Sequence, residues 1–285
     1  MNRRLRSILL ATGFVALFNQ TVFADVFANS LWLGNDGFVS GNHTLYNVDR
    51  SGAILQSFPD SSMTGAAIDP TTNSIYLSAP DSPTTTIYRY DLNSMPSGVK
   101  PVPNGSVPGD HPYEDMAFNP GDPNHIWRAN YYNHFYDYID LTTGSATHFL
   151  SPLGDKGTPM GMAWDGTQFW VSDEQSHNIY TMTTGGVFSA PVFNTGFQTG
   201  GLAWDTTDGT LWVGGFDFVH HYKTDGTLLG KFATPNGSFV DGLEFQAAPV
   251  PEPGSIALLL TTVALLGFGF CRKQAAVHTD RPWTN

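Results

Sequence analysis

Seven acidic residues stand at recurring positions along the chain and carry its clearest chemical suggestion: Asp36, Glu114, Asp115, Asp173, Glu174, Asp217 and Asp241. Carboxylates gathered at one place repel one another unless they are protonated, hydrated or shared by a cation. Their oxygens suit calcium or another divalent ion. The other arrangement open to them is to fan outward into water. His111 and His177 fall in predicted loops on the same side. His220 and His221 follow one another along a strand, so their rings point to opposite faces and do not ligate one metal together. No H-E-x-x-H, G-x-S-x-G, P-loop, EF-hand or dinucleotide fingerprint occurs, so no catalytic residue is named.

The elements that must position these acids come from an internal repeat. Gly65-Ala66-Ala67-Ile68-Asp69, Asp115-Met116-Ala117-Phe118-Asn119, Gly161-Met162-Ala163-Trp164-Asp165 and Gly201-Leu202-Ala203-Trp204-Asp205 share one small, apolar, acidic pattern, spaced 50, 46 and 40 residues apart. After each copy come a turn and a second apolar run (Ile75–Leu77, Ile126–Arg128, Phe169–Val171, Leu211–Val213), which reads as a hairpin. A third run and a more variable fourth follow. Units of this length match the four-stranded blade of a β-propeller. Ser30–Gly34 reads as a second strand without a first, and Asp241–Phe245 as a first without a second. Pairing them closes the ring and removes two exposed sheet edges. The expectation is an all-β protein, a propeller of five blades whose closing blade is shared between the two ends. In an up-and-down blade the connections into the first strand and out of the second lie on one face, which therefore collects the seven acids. In general look the body resembles the NHL, YVTN and SMP-30-like propellers, in architecture only.

The tryptophans follow the same period. Trp32, Trp127, Trp170 and Trp212 occupy second-strand positions and Trp164 and Trp204 first-strand positions, as packing between blades requires. A sugar-stacking platform needs aromatics in loops instead. Tyr131-Tyr132-Asn133-His134-Phe135 is the cluster of that kind, with a longer hairpin as its alternative reading.

Between Asp25 and Pro251 seven Lys and Arg stand against twenty-three Asp and Glu, a net charge of −16. Such a surface is a poor partner for nucleic acid. Only Glu114, Glu174 and Glu244 are glutamates. The rest are Asp, a turn residue as much as a charge. The one cysteine, Cys271, lies outside the body, which therefore has neither disulfide nor cysteine zinc site.

Both ends carry targeting patterns. Arg3, Arg4 and Arg6 precede an apolar run from Ile8 to Phe18, and Val22-Phe23-Ala24 offers small residues for cleavage before Asp25, so residues 1–24 read as a signal peptide. Residues 254–271 form an uncharged span of eighteen residues, rising about 27 Å as a helix. Arg272 and Lys273 follow as a cytoplasmic stop. Pro251-Glu252-Pro253 stands just before the span. Pro-Glu-Pro, apolar helix and basic stop, in that order, resemble the PEP-CTERM sorting signal of Gram-negative bacteria. The resemblance covers about residues 250–273 and implies recognition of Pro251, Glu252 and Pro253 by an exosortase-type membrane protease, in cells that make exopolysaccharide. Family tails stop soon after the basic pair, whereas this chain continues through residues 274–285 as a short cytoplasmic tail. The sequence thus divides into a signal peptide (1–24), a propeller domain (25–247), a sorting tail with its transmembrane helix (248–273) and that last segment.

The functional expectation is an exported protein, anchored in the membrane through its C-terminal helix and then held at the cell surface or released. There it acts as a noncatalytic binding or scaffold module toward polysaccharide or a surface protein. The alternative is a hydrolase or lyase with a divalent metal in an acidic central site.

Overall fold

The computed structural model describes residues 28–34, 44–59, 63–78, 86–97, 105–108 and 114–247. The signal peptide, Asp36, His111, the Pro251-Glu252-Pro253 motif, the span 254–271 and Arg272-Lys273 lie outside them. Among the described residues no helix is long and apolar enough to cross a membrane.

Five four-stranded antiparallel sheets are present, and strands that follow one another in sequence are neighbours in space. The closing blade takes β1 (Ser30–Gly34), β2 (Leu45–Asp49) and β3 (Ile54–Phe58) from one end of the body. The first blade holds β4 (Gly65–Asp69), β5 (Ser74–Ser78), β6 (Thr86–Asp91) and β7 (Gly105–Pro108). The second holds β8 (Met116–Ala117), β9 (His125–Asn130), β10 (Phe135–Asp140) and β11 (Ala146–Leu150). The third is β12 (Pro159–Trp164), β13 (Phe169–Asp173), β14 (Asn178–Met182) and β15 (Phe193–Asn194). The fourth is β16 (Leu202–Asp205), β17 (Thr210–Gly214), β18 (Phe218–Tyr222) and β19 (Leu228–Ala233). Last comes β20 (Gly242–Gln246), which pairs antiparallel with β1, Trp32 opposite Glu244. The five-bladed ring closes between the two ends, as the unpaired half-repeats predicted.

The core lies between blades. Trp32, Trp127, Trp170 and Trp212 are all buried. Trp170 of the third blade stacks on Trp204 of the fourth, ring centres 6.0 Å apart, and Trp127 of the second meets Phe169 of the third at 5.0 Å. Aromatic pairs of this kind add to the burial of their apolar area. The glycine that opens three of the four repeats is a requirement of the axis. A Cβ on Gly161 would stand 2.5 Å from the Gly200 carbonyl oxygen, and one on Gly65 2.3 Å from that of Glu114. The inner strands converge there until backbone touches backbone.

The lower face, where first strands turn into second and third into fourth, uses Asp as a turn device. Asp165 Oδ1 accepts from the Thr167 N–H and hydroxyl, each at 2.8 Å. Asp69 does the same with Thr71, at 2.9 and 2.6 Å. Asp205 repeats the bond to the Thr207 N–H at 3.0 Å. Asp49, Asp140 and Asp225 likewise cap the third-to-fourth turns, each accepting from a backbone N–H two residues on. These are Asx turns. They account for much of the excess of Asp over Glu.

Candidate functional site

The axis is tied by two acids. Asp115, at the entry to β8, is fully buried. Its carboxylate accepts the N–H groups of Leu202 (2.7 Å), Met162 (3.1 Å) and Leu243 (3.2 Å), in the inner strands of the fourth, third and closing blades. Glu244 of β20, partly buried beside it, accepts from the backbone of Ile68 in the first blade. With the Met116 N–H of the second blade also donating to Asp115, the two side chains bond to the inner strands of all five blades. Burial pushes Asp115 well above the usual carboxylate range, against the pull of the N–H donors. Glu244 is pushed well up too, by burial first and then by the charge of Asp115.

The upper face carries the other predicted acids. Asp173 is buried, and its carboxylate accepts the Thr158 N–H at 2.6 Å and the Ser176 N–H at 2.8 Å, fixing the β12 entry to the β13–β14 loop. Glu174, next along, reaches outward to the Tyr131 hydroxyl and to Gln198 Nε2. Burial raises its pKa first, opposed by the Tyr131 bond and helped by the charge of Asp173. The Tyr131 hydroxyl is raised by burial and then by Glu174 and Glu114. Glu114 and Glu174 therefore flank one tyrosine. Tyr132 packs edge-on against Tyr131, ring centres 5.2 Å apart, and is 62% exposed. Phe216, from the β17–β18 loop, is also exposed and packs on Phe239 at 4.5 Å.

The remaining acids have other surroundings. Asp241 is buried at the entry to β20, where its N–H meets the Gly34 carbonyl at 3.0 Å. Asp217 has a left-handed backbone, φ 63°, and so do His134 (φ 63°) and His177 (φ 58°), each the last residue before a third strand. Asp and His tolerate that conformation better than most residues, which gives these three a backbone task. His220 and His221 do face opposite ways: His221 stacks on Trp212 at 3.9 Å and His220 on Phe197 at 4.3 Å.

The structure thus brings Glu114 and Glu174 together around Tyr131 and sets Asp115 apart on the axis. Among the described residues the acids and histidines whose ligand atoms gather within 4.8 Å of one another are Asp205, Asp208 and His221, on the lower face. There the Arg50 guanidinium lies 2.9 Å from Asp205 and also meets Asp208, so a cation is built into the cluster. Two participants escaped the sequence reading. Glu244 sits inside a strand pattern that reads as plain scaffold, and Gln198 lies in a connection with no motif at all.

No protein-family model matches the chain, and no curated protein matches it. Among solved structures, a chain from a crystal structure described as a nidogen/laminin complex is similar at 13% identity and a TM-score of 0.51, covering 78% of this chain and 99% of that one. Kuenenia stuttgartiensis hydrazine synthase aligns at 15% identity and a TM-score of 0.43, over 60% of this chain and 49% of its own. At such identities the likeness to the first is one of fold, a β-propeller.

Proposed function

We propose that this chain is an exported, PEP-CTERM-sorted surface propeller, a noncatalytic binding and scaffold module that contacts exopolysaccharide through its upper face. The observation that carries the reading is the Tyr131–Tyr132–Glu174–Gln198 group. The exposed Tyr132 ring packs on Tyr131, whose hydroxyl meets the Glu174 carboxylate, and that carboxylate also accepts from the Gln198 amide. Rigid tyrosines offer large contact area at low entropic cost, and fixed polar groups orient a hydroxyl-rich ligand. Export rests on Arg3–Phe18 and the cleavage site, and sorting on Pro251, Glu252 and Pro253 with the span that follows. An exosortase-type protease is the processing partner in this reading, and the C-terminal helix holds the chain in the membrane until it acts.

The test is affinity electrophoresis of the full-length chain, in mild detergent, through gels holding soluble exopolysaccharide from an exosortase-bearing Gram-negative strain. Retardation that Tyr132→Ala weakens by about tenfold supports the reading. Unretarded migration of the wild-type chain, or equal retardation of the variant, rejects it.

A further inference from the structure

A recess lies on the lower rim, between the first and second blades, at the opposite end of β9 and β10 from the Tyr131 loop. It has a volume of about 260 Å³, and among the described residues that line it Arg89 is the one that carries a charge. The body's other two arginines are committed: Arg50 to Asp205 and Asp208, Arg128 to the buried Asp137. Arg89 meets no carboxylate within 4 Å among the described residues. Its Nε donates to Ser74 Oγ at 3.0 Å, and its Cζ stands 6.0 Å from the Tyr76 ring, so the head is oriented from one side. Across the strand pair on the other side the residue opposite is Gly105, which has no side chain to cover it. The wall facing it, from the second blade, carries Asn124 and Thr142, with the Ser106 edge beside them, all able to hydrogen-bond.

An oriented, half-buried guanidinium with no acid among the described residues that line its recess is uncommon on a body of net charge −16. Its two outer nitrogens present the parallel donors that a carboxylate accepts with both oxygens. The volume falls below the range of drug-sized pockets, roughly 300–1,000 Å³, and suits a unit the size of one sugar ring. We infer that the recess between the first and second blades binds the carboxylate of a single uronic acid unit, through Arg89, with Asn124 and Thr142 meeting its hydroxyls. The site stands apart from the upper-face reading and survives its failure.

The experiment is saturation-transfer difference NMR of the full-length chain in mild detergent with sodium glucuronate, and with glucose as the uncharged control. Saturable transfer to glucuronate is expected, at least tenfold weaker for glucose. Arg89→Gln should weaken glucuronate at least tenfold. Because that variant also gives up the Ser74 bond, Gly105→Asp provides the independent check. A Cβ there meets only the Arg89 Cβ, at 3.9 Å, so the new carboxylate is accommodated, occupies Arg89 from within and displaces the ligand. Tyr132→Ala should leave glucuronate binding unchanged, which separates this site from the upper face. Equal binding of glucose, undiminished binding by a folded Arg89→Gln or Gly105→Asp chain, loss on Tyr132→Ala, or no saturable transfer from glucuronate would each overturn the inference.

Discussion

The two faces of the ring spend their acids differently. On the lower face Asp carboxylates turn back onto their own loops: Asp49, Asp140, Asp165 and Asp225 are all held below the ordinary value. For Asp49, Asp140 and Asp225 hydrogen bonds from the turn are the largest cause, and for Asp165 such bonds together outweigh the opposing cost of burial. On the axis and upper face Asp115, Glu174 and Glu244 are raised instead, burial being the first cause each time. Every glutamate of the body belongs to this second group of places, since Glu114 flanks Tyr131 as well. The shorter acid builds the lower-face hairpins, whereas Asp115 and Asp173 bond other strands and loops. The longer one reaches across to another loop or blade, and Glu174 does so at Tyr131, on which the exposed Tyr132 packs.

The largest effect should come at the axis. Asp115→Ala strands three buried N–H groups, on Met162, Leu202 and Leu243. At about 1–3 kcal/mol for each unsatisfied group, urea unfolding should show a loss of about 3 kcal/mol or more. A loss below about 1 kcal/mol would mean that the ring does not depend on this carboxylate. Next in size, Tyr132→Ala should weaken polysaccharide binding by about tenfold, about 1.4 kcal/mol, while leaving stability within about 0.5 kcal/mol because the ring is exposed. Asp165→Ala gives the opposite signature. It removes the acceptor for Thr167, Gln168 and Trp170 and should cost about 1 kcal/mol in stability, with binding untouched. Reversal of these two patterns would break the contrast between the faces.

The smallest effect is on the pH profile. Asp165 and the other lowered carboxylates stabilise the fold fully above their ordinary value of 3.8 and lose that contribution as pH falls through their folded values. Glu174 and Glu244 act with the other sign. Above 4.5 the unfolded chain has released protons that the fold retains, so their contribution declines as pH rises. Thermal unfolding should therefore be most stable in weakly acidic solution, near pH 4–5. Glu174→Gln should flatten the decline toward neutrality. A maximum at neutral pH in the wild-type chain would contradict this assignment of the raised groups.

Much of the ring was legible because its units repeat. The small-apolar-acidic motif gave the inner strands, and the half-repeats at Trp32 and Asp241 gave the closure, since an unpaired edge has one economical partner. The second copy opens with Asp115 where the other three open with Gly, yet in sequence the residue reads as a candidate cation ligand and not as the one whose carboxylate bonds the inner strands of three other blades. Its surroundings were not legible. The donors Met162, Leu202 and Leu243 are backbone groups brought together only by ring closure, and no side-chain pattern announces them. Gln198 was invisible for a related reason: its contact with Glu174 joins the β13–β14 loop to the connection between the third and fourth blades, 24 residues away. Tyr131 and Tyr132 could be noticed as loop aromatics, but the strand register that sets them beside Glu174 lies in the fold alone.

The central claim is that ligand meets the upper-face tyrosines while the turn acids remain scaffold. Hydroxyl-radical footprinting of the full-length chain, with and without soluble exopolysaccharide, tests it most directly. The account predicts protection of Tyr131, Tyr132 and the Glu174 loop, with the lower-face turns around Asp165 and Asp205 unchanged. Protection confined to those turns, with the tyrosines as reactive as in the free protein, would contradict it.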